Sequence, residues 1–347
     1  MELAQEVDGA ESAPVESVAL PAFVQIEPVG QCNLRCRMCP IQFRTDGTPN
    51  NPPAFMDYDA FCRLVDQFPD MRELHLQGMG EPLMHPRFFD MVRYAVARGI
   101  FVSTNTNLTL LSERRAEECV ASGLQRMHVS LDGASAATYE FIRVRARYER
   151  VLRNIGRLIE AKRRRQSEFP EVRVVAVVMR KNLHELPALV RLVHTLGIET
   201  LSVQHLCHDF SEESLPERYR PMRAFVEDET LLHEDPARVE TFFNEAQSAA
   251  RETGVRLRLP ALQTQRRPRT DRPRCDWPWR GAYLSYAGEA MPCCMVATPD
   301  RINFGNMAKS GVAAVWNNGA YNAFREGLAA DRPPEVCRSC AVYRGTF

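Results

Sequence analysis

No apolar run in these 347 residues approaches the roughly 20 needed to cross a bilayer. The first 22 residues carry acidic side chains but no Lys or Arg, so the basic start of a secretory signal is missing. A surplus of one charge is missing as well: 44 Lys and Arg balance 44 Asp and Glu, which removes the usual electrostatic signature of a nucleic-acid or acidic-membrane binder. There is no internal repeat and no low-complexity tract. What remains is a 45% hydrophobic chain expected to stay in the cytoplasm, yet with 11 cysteines. In a reducing compartment thiols serve as metal ligands more often than as disulfide partners, so their spacing decides the reading.

From Phe23 to about Gly254, short β-rich runs alternate with stretches of helical periodicity, the rhythm of a parallel βα-repeat. Six strands are expected: Val24 to Glu27, Glu73 to Gln77, Phe101 to Thr104, Arg126 to Leu131, Val172 to Val178, and Thr200 to His205. Helices are expected over Pro86 to Arg98, Leu183 to Leu196 and Ala237 to Glu252. Six strands are too few to close the eightfold barrel, so the fold class is α/β, a partial (β/α)6 barrel with active residues at the C-terminal strand ends. Residues 1–22 are expected to be poorly ordered, 23–260 to form the core, and 261–274, rich in Arg and Pro, to be a linker. Residues 275–347 form a small cysteine-rich α+β extension with a hairpin around Gly288 and one helix from Val312 to Leu328. That extension is too small to stand without metal.

Directly after the first strand comes Cys32-Asn33-Leu34-Arg35-Cys36-Arg37-Met38-Cys39, a C-x3-C-x2-C run. Three thiolates on one loop suit a four-iron cluster with one iron free of protein ligands, whereas structural zinc normally takes four closed ligands. This run, in this place, resembles the defining motif of the radical S-adenosylmethionine (SAM) enzymes. The resemblance implies an open iron that chelates SAM, reductive cleavage of the sulfonium, and a 5′-deoxyadenosyl radical that abstracts a substrate hydrogen. Met38 is in position to cover the adenine side.

After the second strand, Gly78-Met79-Gly80-Glu81-Pro82 is similar to the family's GGEP loop, whose backbone and acidic residue hold the SAM ammonium group. Met79 stands where the family has its first Gly, a departure tolerable for a backbone contact. Asn105, in Thr104-Asn105-Thr106, and Ser130, in Ser130-Leu131-Asp132-Gly133, resemble the family's TNG and SLDG stretches. Arg143 matches an Arg that pairs with the SAM carboxylate in fork geometry.

Cys275, Cys293, Cys294, Cys337 and Cys340 lie in the last 73 residues, among fillers such as Trp277-Pro278-Trp279 and Val315-Trp316-Asn317. They resemble the SPASM/twitch extension. Seven cysteines and two auxiliary clusters mark a full SPASM domain; five cysteines here imply the short twitch form with one 4Fe-4S cluster on Cys275, Cys293, Cys337 and Cys340, at intervals of 18, 44 and 3. Cys294 is then a bystander, and a zinc knuckle on the same thiols is the alternative. Cys62 and Cys119 read as buried helical residues. Cys207, after the sixth strand, is a candidate hydrogen-atom donor.

The function expected is dehydrogenation or epimerisation of a small polar, sugar- or aminocyclitol-like intermediate, with electrons from an external flavodoxin or ferredoxin and no nucleic acid or membrane partner. A peptide maturase and a non-catalytic zinc- or cluster-stabilised binding protein are the alternatives.

Overall fold

The computed structural model describes residues 17–45, 54–206, 213, 215–262, 274–296, 298–338 and 340–344. Six strands occupy the expected stretches: β1 Phe23–Ile26, β2 Glu73–Leu76, β3 Phe101–Thr106, β4 Arg126–Ser130, β5 Glu171–Val178 and β6 Thr200–His205. All are parallel, and each pairs with its sequence neighbour. Between and after them lie α1 Tyr58–Asp66, α2 Phe88–Val96, α3 Glu113–Ala121, α4 Ala136–Ile142, α5 Tyr148–Arg164, α6 Leu186–Thr195, α7 Arg220–Glu229 and α8 Pro236–Thr253. Several helices start on a side-chain cap: Asp57 accepts from Ala60 N, Ser112 from Arg115 N, and Ser135 from Thr138 N. Gly254 ends α8 at φ 77°, a left-handed turn that suits glycine. This is the expected α/β partial barrel.

The hairpin expected around Gly288 is present, but its pairing onto the barrel sheet and one further strand were not expected. β7 Arg256–Arg258 extends the sheet beside β6, and β8 Gly281–Leu284 adds in parallel to the far side of β1, followed by antiparallel β9 Ala290–Met291. One nine-stranded sheet, ordered β7-β6-β5-β4-β3-β2-β1-β8-β9, therefore runs through both the core and the cysteine-rich extension. The helix expected over Val312 to Leu328 is two, Val312–Trp316 and Gly319–Ala329, because the Asn318 side chain accepts from Tyr321 N and starts a new helix.

The sheet's two faces differ. Along β5 every second residue, Val172, Val174, Ala176 and Val178, is buried against the surrounding helices, while Glu171, Arg173, Val175 and Val177 face the concave side and stay partly accessible. His75, Asn105, His128 and Ser130 share that inner face through the strand register. At the strands' N-terminal end Glu171 takes Arg126 (3.1 Å) and a two-bond fork from Arg173 (2.7 and 2.9 Å). The inner face is thus a polar lumen floored by ion pairs.

Of the 22 residues expected to be poorly ordered, 1–16 lie outside the described residues. The remainder is pinned by the C-terminal extension. Val18 N donates to Asn317 Oδ1 (2.8 Å), Asn317 Nδ2 to Val18 O (3.2 Å), and the fully buried Trp316 donates its indole N–H to Ala19 O (3.0 Å). Of the linker, 263–273 lies outside the described residues.

Asn317→Ala removes both bonds to Val18 at a partly buried site. A loss of about 1–2 kcal/mol is expected, measured as a lower urea midpoint at unchanged m-value.

Candidate active site

The loop after β1 is fixed by backbone bonds to the C-terminal end of α4 and the chain just beyond it: Arg37 N to Ile142 O and Arg35 N to Val144 O, both 3.0 Å. The Arg35 guanidinium turns inward onto Cys32 O (2.6 Å) and Leu34 O (2.8 Å), closing the loop on itself. Three thiols result, of which Cys36 is buried and Cys32 and Cys39 are half-buried. N–H groups point at the sulfurs: Leu34 N at Cys32 Sγ (3.3 Å), Asn107 Nδ2 at the same sulfur (3.7 Å), and the Arg143 guanidinium at Cys36 Sγ (3.9 Å). Burial pushes all three thiols up, Cys39 to about 12; the charge of Cys36 raises both Cys32 and Cys39 further, and that of Cys39 raises Cys32. Thiolates gathered this closely need a cation among them, and N–H donors aimed at sulfur are the outer support that cluster ligands use. Among the described residues no three His, Cys, Asp or Glu side chains converge as on a single metal ion. A cube of four irons spreads its ligands across its own width, so its cysteines need not meet at a point.

Beneath this loop lies a buried carboxylate that the sequence did not advertise. Glu27 has no accessible surface; both its oxygens take Arg44 Nη1 at 2.9 Å, and Oε1 also accepts from Tyr283 Oη (2.9 Å) and Met79 N (2.8 Å). Gly78 must be glycine here, because a Cβ would overlap the Glu27 side chain, and at Gly80 a Cβ would overlap the carbonyls of Val29 and Gln31. The two glycines press the loop after β2 onto the cysteine loop, and Met79 needs only its backbone N–H.

Glu81 is buried and already bonded: its carboxylate accepts from Leu83 N (3.1 Å), Thr106 Oγ1 (2.6 Å) and Asn107 N (2.8 Å). Burial raises its pKa despite those donors. Arg143 Nε pairs with the fully buried Asp132 at 2.7 Å, and Asp132 Oδ1 accepts from Val177 N (2.8 Å). The structure thus joins the cysteine loop, Gly80, Glu81 and Arg143 into one bonded neighbourhood. Asn105 stands apart on the inner face, its Oδ1 2.8 Å from His128 Nδ1; Ser130 is half-buried at the end of β4, and Met38 packs half-buried against the core. Cys62 and Cys119 lie on α1 and α3 as expected, Cys119 buried and Cys62 half-buried. Cys207 lies outside the described residues.

Sequence reasoning missed Glu27, Arg44, Asn107 and Asp132 as parts of the site. One signal was available: Glu27 is a charge that directly continues an otherwise mostly apolar strand. Nothing local marked Arg44.

In the extension, the Cys293 thiol is raised by burial, by Cys294 and by the charges of Cys340 and Cys275, so these side chains face one another; Val296 N–H and Trp277 N–H bond to the sulfurs of Cys293 and Cys275 and lower them. Cys337 opens the same turn, three residues before the buried Cys340. Cys294 is close enough to Cys293 to raise it, and it also packs against Tyr283 and Met291 beside Met79 and Trp277.

Residues 26–193 match the sequence model of the Radical SAM superfamily, and residues 275–341 match SPASM, an iron-sulfur cluster-binding domain. The chain is 27% identical over 323 residues to a tungsten-containing aldehyde ferredoxin oxidoreductase cofactor-modifying protein from Pyrococcus furiosus, spanning 87% of this chain and 83% of that one. It is 26% identical over 330 residues to a PqqA peptide cyclase from Xanthomonas euvesicatoria pv. vesicatoria, spanning 92% of this chain and 80% of that one. Among solved structures, Streptococcus suis SuiB bound to precursor peptide SuiA shares the fold, with a TM-score of 0.67 over 95% of this chain and 71% of that chain at 15% identity. The chain belongs to the radical SAM superfamily. Its C-terminal part is a SPASM domain, and the protein is an enzyme whose cofactors are SAM, a SAM-binding 4Fe-4S cluster and an auxiliary iron–sulfur cluster.

Two outcomes are expected. Glu27→Ala strands the buried Arg44 without its counter-charge and costs about 3–5 kcal/mol, whereas Tyr283→Phe deletes one hydrogen bond and costs about 1–2 kcal/mol; denaturant unfolding measures both. His75 and His128, with ring centroids 6.3 Å apart, are held neutral by burial, at about 3 and about 4. The unfolded chain takes up these protons near pH 6.5 and the folded chain only below about 4, so stability is complete above pH 6.5 and falls as pH drops below it. Unfolding midpoints between pH 7.5 and about 5.5 should show this slope, and His75→Asn with His128→Asn should flatten it.

Proposed function

We propose that this enzyme is a peptide-modifying radical SAM maturase. The observation that carries the reading is co-linearity with the PqqA peptide cyclases through both the core and the SPASM domain, over 92% of this chain. The shared fold with a precursor-peptide-binding enzyme adds support at the level of architecture. None of the relatives reported above is named for a sugar or aminocyclitol, the substrate class expected from sequence.

In this reading Cys32, Cys36 and Cys39 hold the SAM-binding cluster, and Cys275, Cys293, Cys337 and Cys340 hold a single auxiliary cluster of the twitch kind. Bound SAM and its cluster supply reductive cleavage of the sulfonium and removal of a substrate hydrogen atom. The chain's own residues do the rest. Asn107 and Arg143 donate toward the sulfurs of Cys32 and Cys36, which stabilises thiolate ligands and favours the reduced form. Glu27 and Gly80 hold the Gly78 to Glu81 loop against the cysteine loop, so its backbone can meet the SAM ammonium group, with Glu81 keeping lone pairs for the same charge. Arg143 is held by Asp132 through Nε and donates toward Cys36 through Nη1, leaving Nη2 for the SAM carboxylate. Asn105 and Ser130 line the lumen with neutral hydrogen-bonding groups, and Met38 flanks the adenine side. Net oxidation of the substrate makes the enzyme an oxidoreductase, with the auxiliary cluster as electron acceptor and a flavodoxin or ferredoxin as external donor. The fit is to the reducing cytoplasm.

The test is label transfer. Anaerobically reconstituted enzyme, reductant and SAM are incubated with side-chain-deuterated peptides and, separately, with deuterated sugars and aminocyclitols. Deuterium in 5′-deoxyadenosine is expected from a peptide, and Cys36→Ala should reduce SAM cleavage to background. Transfer from a sugar or aminocyclitol with none from any peptide would overturn the peptide reading and leave the family assignment intact.

A further inference from the structure

Reductive cleavage of a sulfonium consumes one electron per turnover that no residue of this chain supplies. The electron must enter where the cysteine loop meets solvent. Arg37 is at that place: it sits between Cys36 and Cys39 in the chain, is exposed, and is tied by its backbone to Ile142 and by Nε to Phe141 O (2.8 Å).

The surface around it is unusual in two ways. Phe141 is one of three large apolar side chains exposed among the described residues, at 37%. Two cations crowd its ring, the Arg37 guanidinium at 4.3 Å and the Lys181 ammonium at 4.7 Å from the centroid. Arg145, exposed at the end of the same turn, adds a third. Among the described residues none of these three forms an ion pair. The acids nearest in the chain are engaged elsewhere: Glu140 with Arg147 (3.5 Å) and Tyr148 N (3.0 Å), Glu185 with Ala134 N (2.7 Å) and the Ser135 and Thr138 hydroxyls (both 2.6 Å); Glu229 accepts from the Lys181 backbone N–H (2.8 Å) but makes no ion pair with its ammonium. Many surface arginines among the described residues do carry a carboxylate, including Arg93, Arg98, Arg114, Arg163, Arg164 and Arg165. Two unneutralised cations held on one aromatic ring repel each other, and that repulsion is relieved when an anionic surface covers them.

We propose that Arg37, Phe141, Arg145 and Lys181 form the docking face for an acidic one-electron carrier protein of the flavodoxin kind, placed directly over the cysteine loop. The cations steer the acidic carrier, and Phe141 supplies the apolar anchor at the centre that a short-lived complex of small area needs. One electron leaves the reduced carrier flavin and one enters the chain's cluster; no bond is made or broken. The proposal rests on membership in the radical SAM superfamily and is independent of the peptide reading, because no substrate takes part in the step.

The experiment titrates oxidised flavodoxin into the reconstituted full-length protein by calorimetry over a range of ionic strength. Cluster reduction by flavodoxin hydroquinone and by dithionite is followed in parallel by stopped flow. For the Lys181→Glu, Arg145→Glu double variant, flavodoxin affinity and flavodoxin-driven reduction are expected to fall about tenfold at low salt and to lose most of their salt dependence. Phe141→Ala is expected to weaken binding while preserving the salt dependence. Dithionite reduction and SAM binding should stay at wild-type values in both. Arg163→Glu, a charge reversal at the far end of α5, controls for a reversed surface charge away from the patch. The proposal is overturned by unchanged flavodoxin binding in the double variant, by an equal loss in Arg163→Glu, or by a parallel loss of dithionite reduction, which would make the patch a brace for the cysteine loop.

Discussion

The buried carboxylate of Glu27 is the point on which the site turns. Removing it from water costs several kcal/mol, and a single cation would repay that only in part. Four hydrogen bonds from three other segments complete the balance: two from Arg44, one from Tyr283 and one from Met79 N. Each donor comes from a part of the molecule with its own task. Arg44 follows the cysteine loop, Met79 belongs to the glycine loop after β2, and Tyr283 lies on β8 of the SPASM domain. None can be absent without leaving buried charge or an unpaired polar atom, so the three segments are ordered together or not at all. Glu27 N also donates to Leu284 O (2.9 Å), extending the β1–β8 ladder to this residue.

The parts of the site legible in the sequence were those written in local spacing. Cys32, Cys36 and Cys39 share one loop, and the six expected strands carry their apolar pattern in consecutive residues. β7 and the pairing of β8 with β1 were not legible for a physical reason: Arg256–Arg258 is three residues with two charges, and the β1–β8 ladder joins residues 258 positions apart, from Phe23 with Gly281 onward. Arg143 was readable as a site cation, but its partner Asp132 was visible only as part of a turn. The ion pair forms because α4 brings Arg143 back over the end of β4. Asn318 shows the opposite case, a local signal overlooked: a capping residue inside an apparently continuous apolar periodicity splits one helix into two.

Parallel sheets covered on both faces read as continuous apolar runs. These strands alternate, because only the outer face is covered. The inner face is polar in a graded way along the strand direction. Ions close the N-terminal end around Glu171, neutral pairs follow at His75 with Ser103 (2.8 Å) and at His128 with Asn105, and the thiols, Glu81 and Arg143 lie at the C-terminal end. Charge at the floor is satisfied internally, so it neither attracts ions into the lumen nor competes with the mouth. Neutral donors in the middle can serve a polar substrate without perturbing the potential of a cluster above them.

The union of the two domains in one sheet changes what the auxiliary domain can be. A domain tethered by a linker would sit at a distance set by chain flexibility; one whose strand is hydrogen-bonded to β1 sits about 4.8 Å away, residue against residue, from Phe23 with Gly281 to Ile26 with Leu284. The cysteine loop leaves the C-terminal end of β1, and the turn to Cys293 leaves the hairpin of β8 and β9, so both thiol sets are positioned by adjacent strands. Between them lies a dry layer in which Met79, Trp277 and Cys294 flank Tyr283 and Met291. Water in that layer would compete for the Tyr283 hydroxyl and loosen the Glu27 network. Its exclusion keeps the Glu27 network, and with it the join between β1 and β8, intact. The auxiliary domain is therefore a continuation of the barrel sheet, hydrogen-bonded to the very strand whose following loop carries Cys32, Cys36 and Cys39.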